Sequence, residues 1–301
     1  MKTRSPTLLD RARGLAGLFF GATSFLILSA TAVLILGATA ALIPGASGAM
    51  AQTLNFASSG SDAPIQVDAD DGIEWEQDRQ IFTARGNAVA ERGNVTVRAD
   101  VLQAYYRKKP GGGTDIWRLD ADGNVRILSG DEKAFGAKGV YDIDNAILVL
   151  SGPKVRLVTA DDEISANRQL EWWEKKRMAV ARGNALAVHG ERRLRADVLV
   201  AHFRKNKSGK SRMWRVEAFD NVHIVTATDT VTAARAVYNA DSSIATLTGS
   251  VKITRGENQL NGCSAEVNMK TNISILHGCG SSAAGGQRVR GLLTPGDVKR
   301  K

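Results

Sequence analysis

Apolar and polar side chains alternate with period two along most of this chain. In Val125-Arg126-Ile127, Val155-Arg156-Leu157, Val222-His223-Ile224 and Val251-Lys252-Ile253, aliphatic residues flank a basic or imidazole side chain. Successive strand residues point to opposite faces, so each phrase reads as a strand with one covered and one wet side. Turn residues such as "DID" at 142–144 and "GGG" at 111–113 separate the strands, and Val89 to Val97 reads as a hairpin across Arg92-Gly93. No stretch of about a dozen residues beyond position 51 sustains a helical stripe, so the chain is predicted to be all-β. At "GNAVA" (86–90) and "GNALA" (183–187) small residues take the inner positions, which predicts narrower rungs.

The phrases recur. Turn-plus-strand units begin at Gly86-Asn87, Gly123-Asn124, Gly152, Gly183-Asn184, Asp220-Asn221 and Gly249, at gaps of 37, 29, 31, 37 and 29. The unit is a triplet of 97 residues used nearly twice. That shift carries "RADVL" at 98–102 onto "RADVL" at 195–199, Tyr106 onto Phe203, Trp117 onto Trp214, and Val140-Tyr141 onto Val237-Tyr238; Pro153 then changes the offset to 96. A parallel solenoid has one constant coil length, whereas these gaps alternate. The spacing predicts an elongated, open, antiparallel two-sheet jelly roll. It divides into halves at 64–160 and 161–255, a closing hairpin at 256–290 and a tail at 291–301. Its terminal strands, near 65–75 and 287–294, are left with unpaired edges.

The first residues change the picture of where this sheet works. Lys2, Arg4, Arg11 and Arg13 precede a long apolar run that ends in Ala49-Met50-Ala51, the pattern of a signal peptide over 1–51, followed by a flexible linker at 52–63. An uncleaved membrane anchor is the alternative, because the run is long enough to span a bilayer. Both readings export the rest of the chain. Removing four basic residues and one acidic residue with this segment lowers the net charge from +9 to +6. That balance permits an anionic partner, and no basic strand face interleaved with aromatics argues for nucleic acid.

Catalytic chemistry finds little purchase. His189, His202, His223 and His277 lie on different predicted strands, no Gly-x-Ser-x-Gly elbow is present, and "DADD" at 68–71 reads as a turn. Lys210-Ser211 after Gly209 superficially resembles a phosphate loop, but Arg204 stands where its first glycine belongs. The chain is therefore read as a non-enzyme without cofactor or metal. An enzyme acting on cell-envelope polysaccharide is the second class, to be revived by two carboxylates at glycosidase separation. Cys263 and Cys279 flank "SAEVNMKTNISILHG". A turn centred on Thr271 would set Val267 opposite Ile275 and Cys263 opposite Cys279, within reach of a disulfide. Free thiols, or a metal shared with His277, are the other readings.

With these residues in hand the chain resembles a known family. "PIQVDADDGIEWEQDRQIFTARGNAVAERGNVTVRADVL", "RKKPGGGTDIWRLDADGN", "ATLTGSVKI" and "QRVRGLLTP" look like the LptA/OstA group of periplasmic lipopolysaccharide-transport proteins, over roughly residues 64 to 295. The resemblance implies a V-shaped jelly roll in the periplasm of a Gram-negative bacterium. Its hydrophobic interior would carry the acyl chains of lipopolysaccharide from inner to outer membrane. On that view Val97, Val125, Ile127, Val155, Leu157, Val222, Ile224, Val251 and Ile253 line the lipid groove. Arg107, Lys108, Lys109, Arg204 and Lys205 then stand where head groups would meet it, unless they are simply solvated hairpin tips. Inner- and outer-membrane transport components would join by edge-strand pairing, with head-to-tail association of identical chains. An uncleaved N-terminal helix would make the chain the membrane-anchored component of the same pathway. The chain departs from the family pattern in carrying nearly two copies of the triplet, which bears on how many copies a bridge would need.

Overall fold

Among the described residues the period-two segments form eighteen strands. The computed structural model describes residues 65–109, 111–207, 209, 211–271, 273–280 and 288–294, so the predicted signal peptide and linker lie outside the described residues. Two short strands, β1 (Gln66–Asp68) and β2 (Gly72–Glu76), precede four long ones, β3 (Ile81–Arg92), β4 (Val95–Lys108), β5 (Thr114–Ser129) and β6 (Glu132–Asp142). Four short strands follow, β7 (Ile147–Ser151), β8 (Val155–Val158), β9 (Asp162–Ala166) and β10 (Gln169–Trp173). Six long strands come next, β11 (Met178–His189), β12 (Arg192–Lys205), β13 (Ser211–Val225), β14 (Asp229–Asn239), β15 (Ile244–Arg255) and β16 (Asn258–Asn268). The chain closes with β17 (Ile273–His277) and β18 (Arg290–Leu292). All pairings are antiparallel, and the described residues contain no helix.

Each long strand serves two sheets. One sheet runs β2-β3-β4-β5-β6-β7-β10-β11 and on through β16 to β17; the other runs β1-β3-β4-β5-β6-β8-β9-β11 and on through β16 to β18. The halves are related as the 97-residue repeat requires: β2 to β6 correspond in position to β10 to β14. The sheets share their strands along one corner, and among the described residues no ladder joins them on the opposite side.

The Gly-Asn positions make that corner, which corrects their reading as turns between strands. Gly86-Asn87, Gly123-Asn124, Gly183-Asn184, Asp220-Asn221 and Gly249-Ser250 all lie inside continuous strands, where the register shifts, and all have positive φ. Only at Gly152 does the chain break, between β7 and β8. Two consecutive left-handed residues add a bulge that swings the strand from one sheet into the other. At Gly123 (φ 77°) the neighbouring strand comes so close that an added Cβ would fall 2.0 Å from Asp100 Oδ2. Asp100 in turn accepts a hydrogen bond from Asn124 Nδ2 at 2.9 Å, and Asp197 accepts the equivalent bond from Asn221 at 2.8 Å.

Inward side chains of both sheets form one core. In the first sheet the cross-strand row Leu102, Ala121, Gly139, Leu150, Leu170, Ala181, Leu199 interleaves large and small residues. In the second, Ala90, Val97, Ile127, Ala134, Leu157, Ile164, Ala187, Leu194 and Ile224 do the same. Ala88 and Ala185 are buried inside as narrow rungs, while Arg126, Arg156, His223 and Lys252 point outward into solvent.

At the C-terminal end the predicted hairpin forms with its register displaced by one residue. Val267 pairs with Ser274 rather than Ile275, and Ser264 with His277. Cys263 and Cys279 are nonetheless joined in a disulfide, with Cα atoms 5.2 Å apart, because Cys279 lies just past the end of β17, where the chain no longer follows the ladder. A loop of this length is worth about 3 kcal/mol on the chain-entropy view. The sheet also continues past residue 290, where a tail was predicted to start, because β18 pairs with Gln259–Asn261 of β16.

The corner sets a stability test. Gly123→Ala imposes a left-handed alanine and crowds Asp100, and should cost about 2 kcal/mol or more in urea unfolding. Asp220→Gly places glycine where the first half already has one, at φ 59°, and should leave stability unchanged or raise it.

Candidate functional site

The interior is apolar but not filled. A cavity of about 280 Å³ lies between the sheets in the first half, walled by Phe82, Leu102, Leu119, Val97, Val125 and Ile127, with Gln103, Asp120 and Tyr141 bringing polar groups to its lining. Ala84, Ala90, Ala104, Ala121 and Gly139 also face it, and their small side chains leave the space open. A second cavity of about 80 Å³ adjoins it, walled by Leu150, Leu157, Ile164, Trp172, Leu199 and Val216. Leu148 lines both. Hydrocarbon walls with few polar groups suit an apolar ligand.

The predicted wall residues divide between these spaces and the solid core. Val97, Val125 and Ile127 face the first cavity and Leu157 the second. Val155, Val222, Ile224, Val251 and Ile253 point inward and are buried, but line neither cavity. Sequence reasoning missed the opposite wall, Phe82, Leu102, Leu119, Leu148, Leu170 and Leu199. The phrase after each glycine belongs to the second sheet, and the first-sheet wall lies on the other side of the bend. Alternation in "RADVLQAYY" and "NAILVL" carries that signal.

Both ends of the sandwich are apolar and uncovered. Val67, Ile73 and Trp75 are exposed at the N-terminal end, and Ile273, Ile275, Val289, Leu292 and Leu293 at the other. Trp75 stacks on Phe82 with ring centroids 5.1 Å apart and donates its Nε1–H to the Tyr106 hydroxyl at 2.8 Å. It is 56% exposed, whereas Trp172, its counterpart in the second half, is 9% exposed. The difference is one strand: Leu148 of β7 lies directly opposite Trp172, and among the described residues no ladder flanks β2 on that side.

Basic residues predicted to meet head groups sit on two equivalent hairpin tips, and several are already engaged. Arg107 grips Asp144 with both terminal nitrogens, at 2.8 and 2.9 Å, and reaches Asp115 at 3.0 Å; Lys109 stands 3.7 Å from Asp115. Arg204 pairs with Asp241, as the repeat requires. Lys108 and Lys205 are exposed.

A row of polar side chains borders the far edge of the second sheet. Asp229 is held by Arg255 through two hydrogen bonds, at 2.7 and 3.1 Å, and accepts another from Thr228. Asp162 contacts His189 Nδ1 at 2.7 Å; burial pushes its carboxyl up to about 6, outweighing the histidine. Glu132 is 4% exposed, neither carboxylate oxygen has a partner, and burial alone pushes it up to about 8. Among the described residues no three His, Cys, Asp or Glu side chains converge on a possible metal position.

Glu132 should leave a signature in stability. Its folded pKa lies above its unfolded value, so the folded state holds the extra proton, and stability falls as pH rises from about 4.5 to about 8. Glu132→Gln should remove that part of the slope in thermal melts and make the variant the more stable protein at pH 8, by roughly a few kcal/mol. Asp162 slopes the same way in both proteins and cancels.

Residues 66–169 and 163–273 each match the family described as LptA/(LptD N-terminal domain) LPS transport protein. An uncharacterized protein of Rhizobium meliloti (strain 1021) is 33% identical over 102 residues, 32% of this chain and 54% of that relative, so the chain spans about half the length of the curated relative it matches. Among solved structures, LptH, the LptA homologous periplasmic component of the lipopolysaccharide transport device from Pseudomonas aeruginosa, is similar at 15% identity and a TM-score of 0.34, over 40% of this chain and 83% of that one.

Proposed function

The chain belongs to the LptA/LptD N-terminal-domain family of lipopolysaccharide transport proteins, and from that premise we propose that it is a periplasmic carrier, a non-enzymatic bridge that passes lipopolysaccharide from the inner to the outer membrane along its apolar interior. The unfilled hydrocarbon space between the sheets carries this reading. An acyl chain of about a dozen carbons in water costs on the order of 10 kcal/mol, at roughly 0.8 kcal/mol per CH₂. An interior lined by Leu, Val, Ile and Phe offsets most of that cost, and similar sites repeated along its length avoid a deep trap.

Its partners would dock at the ends. Inside the chain, β10 pairs with β7 and β9 with β8. At the N-terminus β1 and β2 stand where β9 and β10 stand in the second half, and at the C-terminus β17 and β18 divide between the two sheets as β7 and β8 do. The two ends therefore present complementary halves of a joint the chain already contains. This supports head-to-tail edge pairing with a second copy or with related jelly rolls of the inner- and outer-membrane components.

Three outcomes test the proposal. A photo-crosslinking residue at Ile127, Leu119 or Leu157 should trap lipopolysaccharide in cells, and the same residue at Arg126 or Arg156 should not; equal labelling at both sets would refute the groove. Deleting residues 287–301, which removes β18, should weaken end-to-end association in sedimentation while far-UV circular dichroism stays that of a β protein. A mature N-terminus at Gln52 would establish the soluble carrier, and retention of residues 1–51 the membrane-anchored component.

A further inference from the structure

Among the described acids of the polar row, Glu132 alone has no side-chain partner for its carboxylate. Asp229 has Arg255 and Asp162 has His189, each on an adjacent strand. Glu132 occupies the place of Asp229 in the first half, 97 residues earlier, and the place of Arg255 there is taken by Thr159. Ser129, directly opposite on β5, is uncharged as well. A carboxyl group that is buried without any hydrogen bond calls for a reason, since nearly all buried polar groups have partners.

Its position supplies one. Glu132 lies two residues before Ala134 on the inner face of β6; Ala134 lines the smaller cavity, and Ile127, which pairs with Ala134, lines the larger. Glu132 itself lines neither space; it stands one same-face position beyond the residues that do, at the polar border of the sheet. We propose that Glu132 is a binding site for a protonated amino group carried by an amphiphile whose hydrocarbon chain occupies the adjoining cavity. An ammonium there would complete in the first half the acid–cation pair that Asp229 and Arg255 complete in the second, through a charge-assisted hydrogen bond in a low-dielectric setting. The inference rests on reading the interior as a lipid groove, and it narrows the cargo to lipids that bear an amine close to their chains.

Dodecylamine, dodecanol and dodecanoate, each below its micelle concentration, separate the two ideas by calorimetry on the purified protein. Dodecylamine should bind at least about tenfold more tightly than dodecanol, and Glu132→Gln should bring the two within about twofold while dodecanol binding stays unchanged. In the unaltered protein, carbon-13 NMR of the Glu132 carboxyl should show its titration midpoint falling by about one unit or more on saturation with dodecylamine, a readout that does not depend on the variant folding. Dodecanol bound without preference for the amine, or a preference retained in Glu132→Gln, would overturn the amine site and leave the groove standing. Failure of all three amphiphiles to bind would overturn both.

Discussion

Every long strand has to turn from one sheet into the other at the same height, and this constraint governs the rest of the structure. An extended strand of L-residues does not make such a bend unaided. Here two successive left-handed residues supply it, Gly-Asn at three bends, Gly-Ser at Gly249-Ser250, where the neighbouring strand also comes close, and Asp-Asn at 220–221. The facing strands answer with small residues or with an aspartate that accepts the asparagine amide, as at Ala99-Asp100, Ala196-Asp197 and Ala233-Ala234. Because the bends stack in register, the sheets diverge along one line and leave a continuous wedge between them.

What fills that wedge follows from the repeat. Alternating leucine with alanine or glycine keeps the backbones of neighbouring strands in register but does not supply enough side-chain volume to close the first half. In the second half Tyr238, Leu247 and Val267 are almost completely buried. The two halves therefore differ in character although they share one plan. Polar partners differ likewise: the acid–cation pair that closes the border beside β14 has no equivalent beside β6.

Much of this was legible before any coordinates. The basic residues between Val and Ile announced the wet face, and the 97-residue shift placed β2 to β6 on β10 to β14 with their ends nearly coincident. What escaped has physical causes. Gly-Asn serves equally well in a hairpin and in a mid-strand bulge, and nothing local distinguishes them; the distinction lies in whether the neighbouring strand bends too. Hydrogen bonding across the sheet, which fixed Val267 opposite Ser274 rather than Ile275, is settled by the length of the turn and not by alternation, since both choices leave a plausible pattern. Glu132 stands in the sequence as an acid beside a Gly-Asp turn, and nothing local marks it as buried.

The pairing of β7 with β10 has one more consequence. It is a seam between two like bodies made within one polypeptide, where the fragments are tethered by the hairpin of β8 and β9 rather than meeting by diffusion. A joint of that kind forms at an effective concentration of roughly millimolar or above whatever the abundance of the protein. Dilution in a wide compartment cannot undo it. A filament assembled from such chains would come apart only at every second seam, so its persistence would depend on half as many encounters as one of equal length built from single units.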